Sequence, residues 1–73
     1  MNKLYYEMEI AINESNYESI YNRLYMEGIT SILEENGILK IYLNENEEKK
    51  LQQIKKDLIE AERINENDIH ISS

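Results

Sequence analysis

An α+β sandwich, with an antiparallel sheet carrying both helices on one face, is the fold this sequence predicts, and three observations predict it. The first is a β-hairpin over Ile29 to Leu43, closed by Asn36-Gly37. A two-residue hairpin turn needs φ > 0 at both central residues, and Asn followed by Gly tolerates this best. The second is a change of hydrophobic period, from alternation up to Ile12 to helical spacing beyond it. The third is another helical stripe after Leu43, followed by a short apolar alternation near the end of the chain.

In chain order, Leu4, Tyr6, Met8, Ile10 and Ile12 alternate with Tyr5, Glu7, Glu9 and Ala11, which marks a half-buried strand. Tyr17, Ile20, Tyr21 and Leu24 then fall on one helical stripe, widened by Tyr25. Ser15 with Glu18 makes a capping box for this helix, and Asn13 is a competing cap with Ile12 and Tyr17 as its hydrophobic staple. Gly28 allows a left-handed exit, so the helix runs to about Glu27. In the hairpin, Glu35 faces Ile38, Glu34 faces Leu39, Leu33 faces Lys40, Ile32 faces Ile41 and Thr30 faces Leu43. Alternation then places Thr30, Ile32, Leu39, Ile41 and Leu43 on one side, and Ser31, Leu33, Ile38, Lys40 and Tyr42 on the other.

Asn44 with Glu47, or Asn46 alone, caps the second helix. Leu51, Ile54, Leu58 and Ala61 form its buried stripe, leaving Lys49, Lys50, Lys55, Lys56, Asp57 and Glu60 in water. Asn65 to Asp68 breaks the helix, and Ile69, His70, Ile71 and Ser72 form the last strand. The order β-α-β-β-α-β, wound as two right-handed units, gives a single ferredoxin-like domain over residues 1–73 with strands in the order 4-1-3-2. The helix-covered face takes Tyr6, Met8, Ile10, Ile32, Ile41 and Ile71. The open face takes Tyr5, Glu7, Glu9, Lys40, Tyr42 and His70.

Composition narrows the function. A chain of 73 residues buries only about 60% of its unfolded surface, so its stability is modest. It has no cysteine, which suits a reducing compartment and rules out thiolate metal sites. No run approaches the roughly 18 to 20 apolar residues of a membrane span, and the start lacks the pattern of a signal peptide. A cytoplasmic location is the expectation. The net charge of −7, from 15 acids against 8 lysines and arginines, opposes nucleic acid. It fits a basic or neutral protein partner, while the preferred reading is that it keeps a small domain soluble. RNA-recognition domains put stacking aromatics on the open face of such a sheet. Their third strand is basic and aromatic, whereas here it reads Ile38-Leu39-Lys40-Ile41-Tyr42-Leu43.

No catalytic constellation emerges. The one histidine, His70, faces Glu7 or Glu9, a ligand set short of what zinc requires, and the plain surface reading is preferred. Ser15, Ser19 and Ser31 have no neighbouring base. Two glycines do not build a phosphate loop. Lys49, Lys50, Lys55 and Lys56 alternate with acids as on a solvated helix face. The chain is not expected to be an enzyme by itself, nor to bind a cofactor or metal. Tyr5 and Tyr42, with Ile38 and Leu33, form an exposed cluster of the kind protein partners use.

The residues Tyr5-Tyr6-Glu7-Met8-Glu9-Ile10, then Leu24 and Gly28 closing an acidic helix, then Ile32-Leu33-Glu34-Glu35, carry a resemblance. They resemble the N-terminal domain of the PrmA family, bacterial methyltransferases that modify large-subunit ribosomal protein eleven. The likeness continues through the third strand and second helix and so covers nearly the whole chain. Tyr5 stands where that family usually has Trp, and Thr30-Ser31 where it often has Gly. The resemblance implies a substrate-recognition domain that holds the ribosomal protein; Tyr5, Glu7, Lys40 and Tyr42 are the contact residues expected from their place on the open face. In the family a linker leads on to a catalytic domain that binds S-adenosylmethionine, and nothing of that site is found in these residues. The implied chain is then a recognition domain standing alone or a shortened relative. The rival expectation is a free-standing interaction or regulatory module that forms homodimers through sheet edges or open faces.

Overall fold

A computed structural model describes residues 5–72 of the chain. Leu4, the first residue of the alternating run, lies outside the described residues. The rest of that run forms β1 (Tyr5–Ala11). Its period of two sends Met8 and Ile10, both fully buried, to one side and Tyr5, Glu7 and Glu9 to the other.

The chain then turns on Asn13. Asn13 Oδ1 accepts the N–H of Ser15 at 2.9 Å and of Asn16 at 3.1 Å, while Asn16 Oδ1 accepts the N–H of Asn13 at 2.8 Å. Asn13 O accepts the Tyr17 N–H at 2.9 Å, and α1 (Tyr17–Met26) follows. The expected Ser15–Glu18 capping box is not formed. Ser15 Oγ donates instead to Asn13 Oδ1 at 2.6 Å, because one carboxamide oxygen can serve several donors of the opening turn at once.

At the other end, Gly28 takes φ +85°. Its N–H donates to Tyr25 O at 3.0 Å and the Ile29 N–H donates to Leu24 O at 2.9 Å, the paired bonds of a Schellman ending with Ile29 and Leu24 both buried. This ending corrects the hairpin expected from Ile29. Ile29 is drawn into the core at the helix end, Thr30 and Ser31 carry the chain on as exposed connectors, and Thr30 does not pair with Leu43. β2 (Ile32–Glu35) and β3 (Ile38–Asn44) pair from Ile32↔Ile41 to Glu35↔Ile38. Asn36 at φ 52° and Gly37 at φ 78° make the expected turn.

A short 3-10 turn, Glu45–Glu47, leads into α2 (Glu48–Glu60). Glu47 reaches back so that its Oε1 accepts the Asn44 N–H at 3.1 Å. Leu51, Ile54 and Leu58 are fully buried, as expected. Ala61 is not: it is exposed at the helix end. Arg63 turns left-handed at φ 60° and folds the chain back, so that the Ile64 N–H donates to Leu58 O at 2.9 Å and Ile64 fills the core in place of Ala61. Lys50, Lys55 and Asp57, expected in water, are half-buried. A second 3-10 turn, Glu66–Asp68, precedes β4 (Ile69–Ser72).

The sheet order is β2-β3-β1-β4, with every neighbouring pair antiparallel. Met8, Ile10, Leu39, Ile41 and Leu43 from one sheet face form a single cluster with Ile20 and Leu24 of α1 and Leu51, Ile54 and Leu58 of α2. Both helices therefore cover the same face and leave the other open. Arg23 of α1 clamps the segment after α2, its guanidinium donating to Glu62 Oε2 at 2.9 and 3.0 Å. Among the described residues, no helix is long and apolar enough to cross a membrane.

Candidate functional site: the open sheet face

Strand parity decides which side chains meet on the uncovered face. Glu7 lies opposite Tyr42, and Tyr5 opposite Asn44, across β1 and β3. One rung crosses the whole sheet, from His70 through Glu9 and Lys40 to Leu33. Tyr5, Glu7, Lys40 and Tyr42, the contact residues expected from the sequence, therefore share this face. Tyr5 and Tyr42 meet edge to face, ring centroids 5.6 Å apart and planes at 77°, an arrangement in which the positive ring edge of one meets the negative face of the other.

Among the described residues, the electrostatics of the face are acidic with one positive centre. Glu7, Glu9 and Glu35 share it with Lys40, which lies next to Glu9. Partial desolvation pushes the Tyr42 phenol above its ordinary range, the charge of Glu7 adds to this, and Lys40 offsets part of it. Tyr42 is 43% exposed and Leu33 49%. Tyr42, Tyr5 and Leu33 thus offer apolar area to a partner while the carboxylates at their rim offer charge. His70 stands opposite Glu9, as expected of the final strand. Among the described residues, no group of three or more His, Cys, Asp or Glu is placed to hold a metal ion.

A second feature was not read from the sequence. Tyr17 and Tyr21, on the helical stripe read from the sequence, lie at the margin of the core. Tyr17 is 39% exposed, and Tyr21 is half-buried against the cluster. With Tyr25 they form a ladder along α1, with centroid spacings of 4.8 and 6.2 Å. Hydrogen bonding with the Glu34 carboxylate, and then with Tyr21, pushes the Tyr17 phenol up to about 12. Ile12, Asn13, Glu14, Tyr17, Glu34 and Gly37 line a shallow depression there. The signal available in the sequence was the spacing of Tyr17, Tyr21 and Tyr25, which places all of them on one flank of the helix. Which strand that flank meets depends on the rotation of α1 over the sheet.

Compared with known proteins, the chain matches no family model, no curated protein and no solved structure.

Proposed function

We propose that the sandwich is a ferredoxin-like domain that binds protein through its open face, without catalysis of its own, in the cytoplasm. The observation that carries this reading is the Tyr5–Tyr42 pair, set edge to face in the open sheet with Leu33 exposed nearby and Glu7 and Glu9 along β1. Exposed aromatic side chains in a polar rim are the usual anchors of protein interfaces. Glu7, Glu9 and Glu35 favour a lysine-rich partner, and the net charge of −7 steers one in from a distance. The same field opposes nucleic acid.

The resemblance to the PrmA recognition domain makes large-subunit ribosomal protein eleven the first partner to test. In that reading a parent chain supplies the S-adenosylmethionine site, and Tyr5, Glu7, Lys40 and Tyr42 hold the substrate. Calorimetric titration with the purified ribosomal protein tests it. Saturable binding that Tyr42→Ala weakens at least tenfold, while the variant keeps its fold, supports the reading. Wild-type affinity in Tyr42→Ala removes the open face from it.

One observation favours self-association as a second reading. The outer edge of β4 carries Ile69, His70, Ile71 and Ser72 without an acid or lysine, and uncharged edge strands invite pairing with a second copy. Sedimentation over a concentration series separates a homodimer from a monomer.

A further inference from the structure

The opposite edge of the sheet is formed by β2. β2 pairs only with β3 among the described strands. Its outward backbone groups follow from parity. The Ile12 N–H donates to Gly37 O at 2.9 Å, so Gly37, Leu39 and Ile41 bond towards β1, and Ile38 and Lys40 bond towards β2. Their partners Glu35 and Leu33 then bond inwards, leaving Ile32 and Glu34 with N–H and C=O pointing away from the sheet.

The wall above this edge is the tyrosine ladder. At about 100° per residue, Tyr17, Tyr21 and Tyr25 lie on one flank of the buried Ile20–Leu24 line and Arg23 lies on the other. Arg23 reaches the segment after α2 through Glu62, so the tyrosines face the β2 side, in agreement with the Tyr17–Glu34 interaction. α1 runs the length of the strand. It begins beside Gly37 and Glu34 and ends at Gly28 and Ile29, just before β2 starts. Glu14, Glu18, Glu34 and Glu35 are exposed around this strip. The described residues of β2 and of this helix flank include no lysine or arginine.

We propose that β2 and the α1 tyrosine flank form a groove for an extended, lysine- or arginine-bearing segment of a partner protein, which adds to the sheet as a further strand. Backbone bonds go to Ile32 and Glu34. Alternate side chains of the added strand lie over the tyrosines, whose ring faces attract cations, or beside Leu33 and Glu35. A second copy of this chain is disfavoured there, because pairing β2 with β2 gathers the Glu34 and Glu35 carboxylates of both copies. The groove borders the open face at Leu33 and Glu35 but uses the β2 backbone and the α1 tyrosines in place of Tyr5, Glu7, Lys40 and Tyr42, so its test reads different residues from that of the function proposed above.

The test is an NMR titration of the isotope-labelled chain with the blocked hexapeptide Val-Lys-Val-Lys-Val-Lys. The expected result is saturable shifts at the amides of Ile32 and Glu34 and at the Tyr17 and Tyr25 rings, with the Val-Glu-Val-Glu-Val-Glu peptide inactive. Glu34→Gln removes the charge and keeps the outward N–H, and is expected to weaken binding about threefold to fivefold. Glu34→Pro removes both, and is expected to weaken it by about tenfold or more. The same lysine peptide with N-methylated backbone amides repeats the comparison without altering the protein, and is expected not to bind. Gln52→Ala, on the exposed side of α2, is expected to leave the peptide affinity unchanged. Equal loss in the Gln and Pro variants, undiminished binding of the methylated peptide, binding of the glutamate peptide, or no saturable shift along β2 overturns the proposal.

Discussion

Replacing Gly28 by alanine tests how the end of α1 directs the chain into the sheet. At φ +85° an L side chain meets its own carbonyl, at a cost of about 1 to 2 kcal/mol. The added Cβ would lie 3.4 Å from Lys50 Nζ, the mobile end of a long side chain that can move aside, so the backbone term dominates. The smaller unfolded-state entropy of alanine offsets part of it, which leaves a net loss of about 1 kcal/mol. A chain of this length has roughly 4 to 11 kcal/mol of stability, and its urea dependence is about 1 kcal/mol per molar. The urea midpoint, followed by far-ultraviolet circular dichroism, should therefore fall by about 1 M. Arg63 supplies the reciprocal case. It holds φ 60° with a side chain that glycine would not carry, so Arg63→Gly should raise the midpoint by about 0.5 to 1 M on the same grounds. An unchanged or higher midpoint in Gly28→Ala, or a lower one in Arg63→Gly, refutes the left-handed endings and the routes they impose on Ile29 and Ile64.

Further outcomes follow from the core, the clamp and the tyrosines. Leu24→Ala, at a fully buried position beneath the helix ending, should cost about 2 to 5 kcal/mol and lower the urea midpoint by about 2 to 5 M. Arg23→Met should lower stability by about 1 kcal/mol in the same urea assay, because Glu62, with a side chain only 17% exposed, loses its 2.9 Å partner. The Tyr17 phenol, pushed up to about 12 from 10.0, should be the last tyrosine to ionise in a spectrophotometric titration, and Glu34→Gln should bring it down. A raised folded-state pKa means that the contribution to stability is complete below pH 10 and is lost as pH rises from 10 towards 12. Urea midpoints in that window should therefore fall less in Glu34→Gln than in the wild type.

The parts of the fold legible in sequence were those fixed by short-range rules. Asn36-Gly37 set the hairpin turn and, through it, the pairing of Leu33 with Lys40 and Ile32 with Ile41. Alternation along β1 and β3 then placed Tyr5, Glu7, Lys40 and Tyr42 on one face, because period two leaves no freedom once a buried face is chosen. What escaped depended on competition or on tertiary placement. Asn13 and Ser15 both satisfy the rule for a helix cap, and only the fold showed that the Asn13 carboxamide serves both backbone donors. Ala61 continued the helical stripe, but the left-handed turn at Arg63, a residue with no intrinsic preference for it, brought Ile64 into the core instead. The meeting of Tyr17 with Glu34 required the rotation of α1 over β2, which no spacing within the helix encodes.

The most direct test of the account is an NMR titration of the isotope-labelled domain with purified large-subunit ribosomal protein eleven. Binding through the open face should give saturable shifts centred on Tyr5, Glu7, Lys40 and Tyr42, with amides on the helix-covered side undisturbed. Saturable binding that maps to the helices and bypasses the open face, or no shift at all with the domain folded and the partner at high micromolar concentration, would contradict it.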